Sequence, residues 1–323
     1  MLYDRIIGQG TINEPGGKPE PVFALPSTVN WMRALRLLVA GGQINFATAS
    51  AFYAGQTRRM MDTLHENTVL EQLFLSLHHL SALDRLSAVV PVADVARIGI
   101  LAWYYGISNA ASAMTAAQDG TFQDDHAGTA RVWDNAIAMR GLALGPFGWR
   151  VSSLVERVFA PEVDAHRAGS AANLQVEPTT PAGAQGAAAS YLSGSAKWYA
   201  WRTTEEVRRS REFRALNVTD FRTKAARTLR DARLGPRCIG FVHEASRYRG
   251  KANYREALFL AYGRNIETTL AGFVADQATV LRAFVAMAGA FAQKKLGRTL
   301  WEEFVADVEA NRAFTTTAAS VWR

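Results

Sequence analysis

The stretch Ile98–His126, IGILAWYYGISNAASAMTAAQDGTFQDDH, decides the fold. Its first 21 residues, Ile98 to Gln118, hold no charge. Within them Ile100, Trp103, Ile107, Ala110, Ala111, Met114 and Ala117 recur at helical spacing, where a strand would alternate with a period of two. The segment therefore reads as a helix made for burial. Gly120 closes it, and an acidic turn with Asp124, Asp125 and His126 follows. Tyr105, Asn109 and Ser112 fall at i, i+4 and i+7, a polar stripe on an otherwise apolar helix. Buried polar groups need partners, so another part of the chain must meet this stripe, and His126 stands near enough in sequence to do so.

Helical signals continue on both sides. Residues 1–28 are turn-formers without period (GQG, EPGGKPEP, LPS) and read as a lead-in arm, with a first helix after Ser27 that ends at Gly41-Gly42. ATASAFYAGQTRRMMDTLH reads as a second helix. The segment that follows it has Leu70, Leu73, Leu77, Leu80 and Leu83 on one side, a third helix packed on one face. TARVWDNAIAMRGL gives a short helix ending near Gly145-Pro146. Residues 161–196, rich in Ala, Gly, Ser, Thr and Pro, read as a linker or surface excursion between a helical half 1–160 and a basic helical half 197–323, the alternative being one continuous domain.

In that second half Thr219 is the expected cap of a helix that Gly235-Pro236 stops. The segments CIGFVHEASRY and KANYREALFLAYG form two helices parted near Gly250, and a long amphipathic helix starts at Ile266. Thr299 and Glu302 make a capping-box pattern for the last helix. No set of short alternating β-branched runs occurs, so the predicted class is all-α, a multi-helix bundle.

Composition excludes several functions. A single cysteine, Cys238, rules out an internal disulfide framework and a cysteine zinc cluster, and it suits a reducing cytoplasm. The opening MLYDRIIGQG lacks the apolar run of a signal peptide, and Asp276 and Arg282 interrupt the apolar C-terminal third, so the expectation is a soluble cytoplasmic protein without a membrane span. There is no Walker A motif and no G-x-S-x-G elbow, and Gly8-Gln9-Gly10 lacks the flanking strand and helix of a dinucleotide site. The Asp124-Asp125-His126 turn falls short of a metal ligand set, so neither metal nor cofactor is implied.

Charge is unevenly spread. Residues 197–264 hold 17 Lys/Arg against 7 Asp/Glu, while the remainder holds 19 against 22. Such asymmetry points to a polyanionic partner, RNA before DNA, or else to an acidic partner protein. Two segments carry it. Arg222, Lys224, Arg227, Arg230 and Arg233 form a comb along one predicted helix. Arg247, Arg249, Lys251 and Arg255 alternate with Tyr248 and Tyr254, a mix suited to phosphate contact and base stacking. If both face one way they line a groove; the alternative is a solvated helix whose tyrosines are core.

The segment YYGISNAASAMTAAQDGTFQDDH, with Tyr104, Tyr105, Asn109, Ala113 and His126, resembles the central segment of HEPN domains. That resemblance implies an all-helical bundle that often dimerises. In many members it also implies metal-independent RNA cleavage within toxin–antitoxin or phage-defence systems, with an antitoxin as partner. Active members of the family carry Arg followed a few residues later by His. The guanidinium neutralises the scissile phosphate and the imidazole handles the proton. Two segments match: Arg237-Cys-Ile-Gly-Phe-Val-His243 and Arg59-Met-Met-Asp-Thr-Leu-His65, with Arg58 a further option. Arg237 and His243 are the preferred catalytic pair because they lie inside the basic segment. Cys238 and Met60 depart from the polar residue the family usually places after the Arg. The competing reading of Arg237 and His243 is a helix-start Arg and a core-facing His.

Overall fold

A computed structural model of the chain describes residues 2–12, 14–15, 21–253, 255–263 and 266–323. The helices in chain order are α1 (Leu2–Gln9), α2 (Pro21–Gly41), α3 (Phe46–Phe52), α4 (Thr63–Leu86), α5 (Ala93–Asp119) and α6 (His126–Trp133), the last continued by a π-helical turn, Asp134–Ala138. There follow α7 (Glu156–Arg167), α8 (Pro181–Arg208), α9 (Arg211–Ala215), α10 (Lys224–Leu234) and α11 (Phe241–Asn253), then a 3₁₀ turn, Arg255–Leu260. The chain closes with α12 (Ile266–Leu270), α13 (Phe273–Leu296), α14 (Arg298–Asn311) and α15 (Ala319–Trp322). Strand pairing among the described residues is confined to two-residue ladders, Gly10–Thr11 with Glu14–Pro15 and Arg150–Val151 with Ile239–Gly240. The protein is an all-α multi-helix bundle.

The uncharged run is α5, and it is the axis of the bundle. Ile100, Trp103, Ile107 and Met114 are fully buried; each contributes roughly 1.5–3 kcal/mol relative to leaving it exposed. Helices α4, α13, α11 and α6 pack around it. Gly99 and Gly106 let α13 come close, since a methyl group on either would strike Gln277 or Leu281. The Ser76 hydroxyl donates to the Gly106 carbonyl at 2.8 Å across the α4–α5 contact. At the N-terminus the Glu267 carboxylate accepts from the backbone N–H groups of Val92 and Ala93 at 3.0 and 3.2 Å. It thereby satisfies donors that have no partner within the helix. The far end closes on Gly120 in the left-handed conformation.

Residues 161–196 are not a linker. They contain the second half of α7, a loop, and the first four turns of α8, which Thr180 caps by accepting from the Gly183 N–H at 3.1 Å. Ala184, Ala187 and Ala188 are buried against Ala34 of α2. The small side chains that look like linker composition are what a close helix–helix approach requires. Tyr191 of the same stretch stacks on Trp31 at 4.0 Å, and Trp31 also meets Trp103 at 5.7 Å and Tyr248 at 4.7 Å. This aromatic nest joins α2, α5, α8 and α11, and one core cluster extends from Val29 to Trp322. The two expected halves are therefore interlocked.

Other boundaries shift. Helix α2 begins at Pro21, not after Ser27. The expected second helix is only α3; the chain then loops to Asp62, which caps α4. Thr223, not Thr219, caps α10. Helix α11 runs unbroken through Gly250, α12 and α13 are parted at Gly272, and α14 begins at Arg298 after Gly297, without a side-chain cap from Thr299. One described stretch, Ile266–Leu296, is long and apolar enough to cross a membrane by length and composition, and 72% of its apolar window is buried inside the bundle.

Candidate nucleic-acid interface

The second half of α8, with α9 and α10, folds over a small cluster of its own, Val207, Phe213 and Ala226, flanked by Leu216, Val218, Phe221 and Leu229. This lobe spans residues 197–237, which hold 12 Lys/Arg and 5 Asp/Glu; the rest of the chain holds 24 of each. The whole formal excess of +7 therefore lies here. The comb is on the outside: Ala226 and Leu234 turn inward, and Arg222, Lys224, Arg227 and Arg233 are exposed, with Arg230 half-buried. Arg222 pairs with Asp220 at 3.3 Å and Arg230 with Asp231 at 2.8 Å. Lys224, Arg227 and Arg233 make no ion pair among the described residues, so their charge is free for an external anion.

The second basic run does not extend this surface. Tyr248 is fully buried and its hydroxyl donates to the Thr28 carbonyl at 2.9 Å. A ring in the aromatic nest has no face to offer a base. Arg247 lies over the Tyr191 ring at 5.3 Å and donates to the Ser195 hydroxyl at 3.2 Å. Arg249 lies over the Tyr104 ring at 5.1 Å. Lys251 is buried and donates to Glu256 at 2.9 Å and to Ser27 at 3.2 Å; burial holds its ammonium below the usual range. These cations cover the core and do not line a groove. Tyr254 and the side chain of Arg255 lie outside the described residues.

The two Arg/His segments differ in the same way. Arg237 is exposed and committed to α8, donating to the Thr203 hydroxyl at 3.0 Å and to Glu206 at 3.1 Å. His243 turns to other partners. Its Nδ1 accepts from the Gly240 N–H at 3.3 Å, its ring meets Tyr199 at 6.2 Å, and burial beside Arg150 lowers its pKa to about 4. An imidazole half-buried and held neutral by so low a pKa is a poor proton acceptor for an external substrate, and Arg237 answers to Glu206 instead. The expected shared cleft is not formed.

Arg59 and His65 are brought together, though not on one helix. Arg59 lies in the loop before α4, and its Nη1 donates at 2.9 Å to the Ala116 carbonyl in the last turn of α5, which also accepts from the Gly120 N–H at 3.0 Å and where the helix dipole favours a cation. His65 sits in the first turn of α4. Oδ1 of the capping Asp62 accepts from the His65 backbone N–H at 2.9 Å and lies 2.7 Å from its Nδ1. These two bonds hold the Asp62 carboxyl below the usual carboxylate range. With Nδ1 donating, Nε2 of the neutral ring is left as an acceptor. Arg59 Nη2 and His65 Nε2 each come within 2.9 Å of where a Cβ on Gly120 would sit, so guanidinium and imidazole are neighbours over this glycine. Arg58 lies close to Gly297, and Lys295 receives the Arg59 N–H on its carbonyl at 2.9 Å. The sequence signal for the dyad was the helix-start pattern itself: Asp62, three residues before His65, at the head of a leucine-bearing helix.

A further buried polar cluster went unread in the sequence. Asp134, fully buried on the π turn, accepts from Arg150 Nη2 at 2.8 Å and Nε at 3.3 Å. The Gly240 backbone lies so close that a Cβ there would come within 2.4 Å of Asp134. Cys238 lies in the same cluster, where burial and the Asp134 carboxylate push its thiol up to about 11. The bidentate pair ties the π turn to the strand Arg150–Val151, which pairs in turn with Ile239–Gly240.

Rings lie against the Tyr105 end of the polar stripe. Tyr105 contacts His126 at 5.8 Å and His79 of α4 at 5.9 Å, and Tyr104 contacts His126 at 5.1 Å. Burial, then the nearby Arg249, lowers the His126 pKa. Ser112 is buried and Asn109 partly so. No protein-family model matches the chain, no curated protein is significantly similar to it, and no solved structure matches its fold significantly.

Proposed function

We propose that this protein binds nucleic acid, RNA foremost, on the lobe formed by the end of α8, α9 and α10. The observation that carries the reading is that residues 197–237 hold the entire charge excess of the chain and that Lys224, Arg227 and Arg233 are exposed there and make no ion pair among the described residues. Such a surface displaces condensed counterions from a phosphate backbone, so affinity depends on salt. Binding of a fluorescein-labelled RNA oligonucleotide, followed by anisotropy between 50 and 200 mM salt, is the test. A fall of roughly ten- to a thousand-fold over that range supports the reading; no binding at the lower salt contradicts it and favours an acidic partner protein on the same face.

A second reading, metal-independent RNA cleavage of the HEPN kind, is favoured by the Asp62–His65–Arg59 arrangement and no longer by Arg237 and His243. His65 Nε2 takes the proton of a ribose 2′-hydroxyl, and the freed oxygen attacks the adjacent phosphorus. The P–O5′ bond breaks, leaving a 2′,3′-cyclic phosphate and a 5′-hydroxyl that recovers a proton. Arg59 neutralises the phosphate oxygens as charge builds. Met60 and Leu64 beside the pair are 85% and 77% exposed, a surface that a second copy in a homodimer would cover. RNA incubated with the protein and EDTA tests this reading. Cleavage that His65→Ala reduces by about 10²–10⁴-fold, and that His243→Asn leaves in place, supports it; intact RNA throughout leaves the protein a binder without chemistry, as a subunit of a defence or toxin–antitoxin complex.

A further inference from the structure

Between α8 and α10 of the basic lobe and the start of α7 lies a cleft of about 220 Å³. Its floor is apolar: Leu154, Phe159 and Leu234 belong to a buried cluster beneath it. On its α8 side Lys197, Trp201 and Thr204 fall at i, i+4 and i+7, which places them on one face of the helix. Trp201 is 61% exposed, whereas Trp31, Trp103, Trp133, Trp301 and Trp322 are all buried. An indole left this open on a cationic face has no packing role that accounts for it.

The polar groups of the rim divide into used and unused. Arg230 is occupied: it pairs with Asp231 and lies over the Phe221 ring at 5.7 Å. Lys197 and Glu156 line the cleft with no hydrogen-bond or ion-pair partner among the described residues. A free carboxylate in a polyanion-binding surface repels phosphate, so the phosphates run along the Lys197 and comb side. An uncharged, flat group with N–H donors suits the cleft between Trp201 and Glu156. The volume falls below that of sites for drug-sized ligands, roughly 300 Å³ and upward, and suits one ring system and not a whole nucleotide. A base meets those conditions only when it is unstacked, because a duplex keeps its bases paired and turned inward.

We infer that the lobe takes single-stranded RNA, with one unstacked base seated in the cleft against Trp201, its edge toward Glu156 and its backbone on Lys197 and the α10 cations. This rests on the reading of the lobe as an RNA-binding surface, and the test separates the two. Affinities of wild-type protein and Trp201→Ala are measured for a fluorescein-labelled single-stranded 12-mer RNA and for an RNA duplex of the same length, with Trp201→Phe as the conservative variant. Trp201 is exposed, so its removal leaves the fold intact, which the thermal midpoint checks. The expected result is about a tenfold loss of single-strand affinity in Trp201→Ala, largely restored in Trp201→Phe, with duplex affinity unmoved. Equal affinity of Trp201→Ala and wild type for the single strand, or an equal loss for both RNAs, overturns the base-seating inference while leaving the electrostatic reading. Absence of binding to either RNA by the wild type overturns both.

Discussion

Helices α10 and α11 carry similar numbers of Lys and Arg, and they use them in opposite directions. On α10 the apolar residues are few and turn to a small local cluster, so Lys224, Arg227 and Arg233 are exposed and make no ion pair among the described residues, Arg227 donating only to the Arg222 carbonyl at 2.8 Å. On α11, Phe241, Val242, Ala245, Tyr248 and Ala252 are buried in the main core, and the helix is drawn in with them. Its cations are then laid across Tyr191 and Tyr104 or buried against Glu256. The difference teaches that a count of basic residues locates charge along the chain, while the apolar content of the same helix decides whether that charge reaches the surface. The same division separates the two Arg/His segments: one is spread between α8 and the core, the other converges on the exposed end of α5.

The strongest way to break the comparison is at Tyr248. If α11 serves the core, Tyr248→Ala removes a fully buried ring and its bond to Thr28, at a cost of about 3–5 kcal/mol. Chemical denaturation checks this; a loss of RNA affinity with unchanged stability would instead return Tyr248 to the binding surface.

A somewhat smaller effect comes from pH. His243 stays neutral in the fold down to about pH 4, whereas in the unfolded chain it takes up a proton near the usual imidazole value. The unfolded state therefore binds more protons between those values, and stability rises with pH across the window. His243 contributes no penalty above about pH 6.5, and the fold loses about 3 kcal/mol through this group as pH falls from there to 4. Urea midpoints across that range should fall more steeply for wild type than for His243→Asn, which keeps the other ionisable groups; parallel curves would show that His243 is as accessible as a catalytic imidazole must be.

Much of the fold was legible, for identifiable reasons. Helix α5 declared itself because an uncharged run with a closing Gly120 has few alternatives. The outward comb on α10 was legible because its apolar residues are too sparse to bury a long face. Helix α8 was missed because Ala and Gly signal both flexible linkers and close helix contacts, and only the partner Ala34 on α2 decides between them. The pairing of Arg59 with His65 was present in the spacing, but its preference over Arg237 and His243 depends on Asp62 as a cap and on Gly120 some 55 residues away. The Asp134–Arg150 pair and the Trp201 cleft join elements distant in sequence, so no local pattern announces them.

The most direct measurement of the central claim is RNA affinity, at a single moderate salt concentration, of a variant with Lys224→Glu, Arg227→Glu and Arg233→Glu together. These residues are exposed and distant from the main core. The account predicts an affinity loss on the order of a hundredfold or more, with a thermal midpoint close to that of wild type. Unchanged RNA affinity in a folded triple variant would contradict it.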